Sequence, residues 1–275
     1  MKKQLFKILP LAATACLLVF AGCQKEDDPQ QLETDTVETE AITESEFTMA
    51  DNFVEEAGND DEFMNGRVAA ATGSLPACAT RTFNRETRTL TIDFGNTNCL
   101  CRDGRNRRGK IVASFNGPRY TAGSSVTITL LDYYVNDNHL TGTKTKTWVN
   151  ANKVNVVVQD ASIETARGTA YWEANRIIER IAGADTRILT DDIYLISGSS
   201  EGVNRQGVAF NTTIAQPLKL VLAETCVRNF VAGVVKTVTE RGNTFVLNYD
   251  PIGGEPCDKI AEVTVNGRSK QIELR

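Results

Sequence analysis

The sequence predicts a mainly β protein: an antiparallel meander forming a curved sheet or sandwich of about a dozen strands, preceded by a short amphipathic helix. Three observations carry that prediction. Apolar and polar residues alternate with period two through much of residues 78–275, the pattern of strands with one buried face. Turn residues punctuate the alternation at short intervals, among them Gly242-Asn243 and Asn266-Gly267, dipeptides that favour tight hairpins. Charge is divided unevenly: residues 24–63 hold 15 acidic side chains against one basic one, whereas residues 64–275 are net positive by six. Such asymmetry separates an acidic leading segment from a folded body.

Residues 1–22 read as a signal peptide. Lys2, Lys3 and Lys7 give a positive start, and residues 8–21 form a 14-residue apolar run, short for a membrane span and right for a signal core. Phe20-Ala21-Gly22-Cys23 follows. Small residues before a cysteine resemble the lipobox of bacterial lipoproteins, with Phe20 where leucine is usual, and make Cys23 the expected lipidation site. Two acyl chains would anchor the chain to a lipid bilayer without spanning it. Lys25-Glu26-Asp27-Asp28 resembles the surface-export signal of Bacteroidota lipoproteins. The expected location is therefore the outer membrane, lipid-anchored, at the cell surface.

Residues 23–43 have almost no large apolar side chain and read as a lipidated, acidic, disordered tether. Within them Asp35-Thr36-Val37 matches a three-residue O-glycosylation pattern, short enough to arise by chance. Residues 44–67 read as a short helical segment. Phe47, Ala50, Phe53, Val54 and Ala57 recur at helical spacing, Ser45 is placed to cap, and Gly58 to terminate.

Residues 68–275 are the expected β domain. Leu90, Ile92 and Phe94 begin the alternation, followed by Ile111, Ala113 and Phe115, then Val126, Ile128 and Leu130. The phase flips at Leu130-Leu131, which predicts a bulge. Asn136-Asp137-Asn138 is a turn, after which Thr141, Thr143, Thr145 and Thr147 oppose Lys144, Lys146 and Trp148. Val154, Val156 and Val158 make another strand, and residues 192–197, 207–214 and 218–222 add three more. Residues 169–181 are ambiguous. Glu173, Ala174, Arg176 and Ile177 suit a helix, but Tyr171, Trp172 and the flanking Gly168 and Gly183 favour a strand, which is the expectation. A loose repeat frames the domain, with a cysteine, a hairpin and a second cysteine both at Cys78–Cys99 and at Cys226–Cys257.

Cys16 leaves with the signal and Cys23 takes lipid, so five cysteines remain. An exported compartment permits disulfides. Cys226 and Cys257 straddle a turn near residue 242 and are expected to pair across it. Cys78 is expected to pair with Cys99 or Cys101. One histidine, His139, and a single CxC are too little for a usual zinc site, so no metal and no cofactor are expected.

Arg102, Arg105, Arg107, Arg108 and Lys110 form a dense basic run. It reads as a solvated hairpin tip, as a site for an anion or acidic glycan, or as a partner for the acidic segment of its own chain. Gly104 to Lys110 matches the start of a phosphate-binding loop, but Ile111 stands where a hydroxyl is needed. Tyr133, Tyr134, Trp148, Tyr171 and Trp172 are the aromatic candidates for a carbohydrate platform. No catalytic residue is assigned; a carboxylate pair on facing strands would be the signature of a glycan hydrolase. The mature chain is net negative by eight, so nucleic acid is not an expected partner.

Residues Thr91-Ile-Asp-Phe-Gly95, Cys99, Asp103-Gly-Arg105, Arg108-Gly-Lys-Ile111, Tyr133-Tyr-Val-Asn136 and Gly142-Thr-Lys-Thr145 resemble a group of Bacteroidota lipoproteins without assigned activity. The likeness covers most of 78–275, including Thr190-Asp-Asp192, Gly202-Val-Asn204 and Pro217-Leu218. It implies the β fold and the envelope location, and transfers no catalytic residue. The expectation is a non-catalytic binding or envelope-structural lipoprotein, partnered by an acidic glycan or an envelope protein. The alternatives are a secreted hydrolase acting on glycans and a docking subunit of an outer-membrane complex.

Overall fold

The computed structural model describes residues 29–58, 75–186, 189–223, 226 and 230–273. Residues 1–28 and 59–74, and with them the signal peptide, Cys23 and the acids at 26–28, lie outside the described residues.

One antiparallel sheet of 14 strands makes up the body. The strands are β1 (Thr80–Asn84), β2 (Thr89–Asp93), β3 (Cys99–Leu100), β4 (Asn106–Asn116), β5 (Ser125–Val135), β6 (Asn138–Asn150), β7 (Lys153–Thr165), β8 (Gly168–Ala182), β9 (Ile193–Val203), β10 (Ala209–Val221), β11 (Phe230–Thr239), β12 (Thr244–Asn248), β13 (Ile260–Val265) and β14 (Arg268–Glu273). Apart from β3, a short piece beside β4, each strand pairs with its neighbours in chain order, and the sheet stays open between β1 and β14. Of the two expected arrangements, one sheet is found and a sandwich is not.

The ambiguous segment is a strand, β8, with Ala170, Trp172, Ala174 and Arg176 buried and the residues between them exposed. Its aromatic pair and its neighbours in the sheet outweigh the helix formers. The flip at Leu130-Leu131 is a bulge: Lys110 pairs with Leu131 and Arg108 with Tyr134, so three steps on β5 oppose two on β4. Gly109 faces that bulge at φ 89°, and a β-carbon there would lie 2.0 Å from the Asp132 carbonyl oxygen. Only glycine fits such an approach. Residues 207–214 and 218–222, expected as two strands, belong to one. β10 runs through both with register shifts after Ile214, where Pro217 has no N–H to give to a ladder.

The helix differs most from expectation. α1 runs from Pro29 to Gly58, so the segment read as a disordered tether is helical from Pro29 onward. The composition argument fails because these residues do not have to fold alone. Thr36, Thr43, Phe47, Ala50, Val54 and Ala57 are buried at spacings of seven, four, three, four and three, one continuous stripe along the helix. Proline at the start and glycine at the end match ordinary helix limits. Residues 59–67 of the expected helical segment lie outside the described residues.

The stripe packs on one face of the sheet, here the inner face. Phe47 meets Trp172, Phe53 meets Phe94, and Phe94 meets Tyr133, with ring centroids 5.7–6.1 Å apart. Leu90, Ala113, Ile128, Lys144, Val158 and Ala174 follow one another in register across β2 to β8 on this face. The opposite row is Thr89, Ser114, Thr127, Thr145, Val157 and Asn175, a polar outer face. The helix enters beside the β9–β10 turn, where Asp35 pairs with Arg205. It ends beside the β4–β5 loop, where Arg119 pairs with Glu55. These mark opposite ends of the sheet, the entry end and the exit end. A disulfide sits at each: Cys78–Cys99 at the entry end and Cys226–Cys257 at the exit end.

Candidate functional site

The polar groups of interest gather where α1 meets the inner face. Helical periodicity brings Glu44, Glu46, Asp51 and Glu55 towards the sheet, and strand alternation brings Lys144, Lys146 and Arg176 towards the helix. Lys144 donates to Asp51 at 3.0 Å, and Lys146 donates to Asp51 at 3.0 Å and to Glu55 at 2.6 Å. Arg176 pairs with Glu44 at 3.4 Å and donates to Ser200 at 3.1 Å. Burial pushes the Asp51 carboxyl up, but Lys144 and Lys146 together outweigh it and hold Asp51 below the ordinary range. Burial likewise favours a neutral Lys146, and Asp51 with Glu55 reverse that, leaving its ammonium harder to deprotonate than usual.

The basic run divides. Arg107 is 0% exposed. It donates twice to Asp103, at 2.7 and 2.8 Å, and once to the Tyr133 hydroxyl at 3.0 Å, with Glu46 3.6 Å away. Burial opposes its charge, but Asp103, Tyr133 and Glu46 restore it, so its pKa is raised. Burial raises the Asp103 carboxyl, and Arg107 more than reverses that. Arg105 pairs with Glu46 of the helix. Desolvation wins at Glu46, whose pKa is raised despite Arg105 and Arg107. Arg108 lies over the Tyr134 ring, 3.9 Å from its centroid, and pairs with Asp137. Lys110 meets Asp93 at 3.0 Å. Arg102 is exposed in the loop between β3 and β4. The expected anion-binding set is thus not one open patch. Four of its five members already hold carboxylates of their own chain: Arg107, Arg108 and Lys110 from β4, and Arg105 from just before it.

Cys78 pairs with Cys99, leaving Cys101 a buried free thiol. Cys101 donates to the Cys99 carbonyl at 3.5 Å, and burial raises its pKa. Cys226 pairs with Cys257 across the β11–β12 hairpin. Thr36 is buried and accepts a hydrogen bond from Asn204 at 2.9 Å, so the O-glycosylation match is a packed contact between helix and turn. The aromatic candidates do not assemble either. Tyr133, Trp148 and Trp172 are buried on the inner face, whereas Tyr171 is 56% exposed on the outer face. Tyr134 is stacked on His139 at 4.6 Å, and His139 is the second residue of β6.

Sequence reasoning did not single out two other arrangements. Glu173 and Glu201 pair directly across β8 and β9, both exposed on the outer face. Asp192 is buried, with the Tyr194 hydroxyl donating to it at 2.7 Å and Arg180 3.7 Å away. Burial and Asp192 together push the Tyr194 hydroxyl pKa up. Only the parity of β8 and β9 could have revealed the first, and nothing local foretells the second. Among the described residues no group of three or more His, Cys, Asp or Glu could hold a metal ion, and no helix is long and apolar enough to cross a membrane. No family model, curated protein or solved structure matches the chain.

Proposed function

We propose that the chain is a lipoprotein of the outer membrane, acylated at Cys23 and displayed at the cell surface, whose β domain binds or scaffolds without catalysing. The observation that carries this reading is the run of Lys2, Lys3 and Lys7, an apolar stretch, and Ala21-Gly22-Cys23, the anatomy of a lipidated signal peptide. The acids at 26–28 support surface display. For the domain, α1 and its ion pairs occupy the inner face of β2 to β8, which points to the polar outer face as the side that meets a partner. The resemblance to Bacteroidota lipoproteins agrees with this assignment. Metabolic labelling with a fatty acid tests the anchor: the chain takes up label and partitions into detergent, and Cys23→Ala does neither. Partitioning that survives this substitution sinks the reading.

One observation bears on the hydrolase alternative. Glu173 and Glu201 are direct register partners on β8 and β9, two neighbouring carboxylates of the type that a glycosidase uses. Both are exposed on the outer face, where water reaches them, which favours the binding reading. The discriminating assay is glycan hydrolysis by the protein and by Glu173→Gln. Turnover that disappears in the variant would establish the hydrolase.

A further inference from the structure

We propose that the entry end of the sheet is a membrane-facing surface whose exposed arginines meet anionic lipid headgroups. This rests on the lipidation of Cys23 and adds an orientation and a second, electrostatic contact.

Two independent observations converge on that end. The first is the path of the chain. α1 begins at Pro29, so Cys23 lies six Cα steps from the helix, a reach of at most about 20 Å. The helix is fixed to the turn between β9 and β10 by Asp35–Arg205 and by Thr36–Asn204. A tether this short, leaving from this turn, holds the entry end nearest the bilayer.

The second is the distribution of charge. The entry end carries the turns at 136–137, 166–167, 205–207, 240–242 and 266–267 and the loop before β4. Exposed arginines stand at or beside four of these connections: Arg102, Arg167, Arg241 and Arg268. Alternate hairpin tips along a sheet are about 10 Å apart, so these charges spread over a wide front. Four exposed carboxylates stand there too, Asp103, Asp137, Glu164 and Glu240, but Arg107 holds Asp103 and Arg108 holds Asp137, so two remain against the four arginines. Among the described residues the exit end leans the other way. Its turns expose Glu86, Asp185, Asp191, Asp258 and Glu255, the last held by Lys219, beside Arg85, Arg88 and Lys259. Anionic headgroups attract basic side chains within a Debye length of the surface. Lipidation confines the domain to that zone, where the entry-end arginines are drawn to the headgroups.

The test uses the full acylated protein in vesicles of phosphatidylcholine, with or without phosphatidylglycerol. A fluorophore is attached through Ala166→Cys at the entry end or through Ala151→Cys at the exit end. Headgroup-labelled quencher lipids then report which end faces the membrane. The proposal expects stronger quenching at 166 than at 151, rising with phosphatidylglycerol. It expects that rise to be lost at high salt and in the combined variant Arg102→Ala, Arg241→Ala, Arg268→Ala. Equal quenching at the two positions, or stronger quenching at 151, overturns the orientation. Quenching at 166 that ignores phosphatidylglycerol and the arginine variant overturns the headgroup contact. Protein that never joins the vesicles overturns the anchor and the orientation built on it, a failure told apart by flotation before any quenching is read.

Discussion

Arg107 and Arg102 are five residues apart and equally basic, yet one is sealed in the core and the other faces water. The difference is one of place: Arg107 lies in β4 with its side chain on the inner face, held by Asp103 and close to Glu46, 61 residues upstream, whereas Arg102 lies in the loop before β4. Removing one partner of a buried ion pair costs about 3–5 kcal/mol because the other charge stays buried. Arg107→Ala should lose that much in urea unfolding, while Arg102→Ala should stay within about 0.5 kcal/mol of the parent. A second test concerns pH. The Asp51 pKa is lowered in the folded chain. Its contribution is therefore present above the unfolded value of about 3.9 and disappears as pH falls through the folded value. Asp51→Asn should destabilise clearly at neutral pH and progressively less in acid, where the parent carboxyl is also protonated. Glu46 works the other way. Its raised pKa means that it favours folding when protonated, and this contribution fades as pH rises through the folded value. Stability curves of Asp51→Asn and Glu46→Gln against pH should therefore diverge from the parent in opposite senses.

Among the elements, the hairpins were legible and the helix was half legible. Asn266-Gly267 turns with both residues at positive φ, as its dipeptide requires. The Cys226–Cys257 pairing followed from a turn midway between the two cysteines. The choice between Cys99 and Cys101 was not legible, because both side chains lie on the same face two residues apart and only the packed fold selects one. α1 was read from Glu44 onward because its closely spaced apolar residues begin at Phe47; residues 29–43 make about four further turns, and these hold to the β9–β10 turn through Asp35 and Thr36, polar contacts that leave no apolar signature. The 31-residue separation closed by Cys226–Cys257 gives an expected loss of about 2–4 kcal/mol when both cysteines become Ala. Non-reducing peptide mapping should show that pair and Cys78–Cys99, with Cys101 alkylated only after unfolding. At the bulge, Gly109→Ala meets both a positive φ and the Asp132 carbonyl, so a loss well above 1 kcal/mol is expected. Gly95→Ala has the same sign of φ and open space around it, and should cost less.

At the scale of the molecule, the acidic leading segment and the basic body are two halves of one packed unit. The net charge of each half was plain from composition, but not that they answer one another. Composition counts charges without saying which ones a fold brings within 4 Å. The consequence reaches function: the basic groups that looked available to an outside anion are mostly engaged from within, and Cys23, the proposed anchor, is six residues before the start of a docked helix in the sequence. Hydrogen exchange on residues 24–275 tests this most directly. Backbone amides of residues 35–58 should exchange as slowly as those of β6, β7 and β8 and should lose protection together with them in denaturant. Amides of residues 35–58 exchanging at the rate of an unfolded peptide, while β6 to β8 remain protected, would contradict the account.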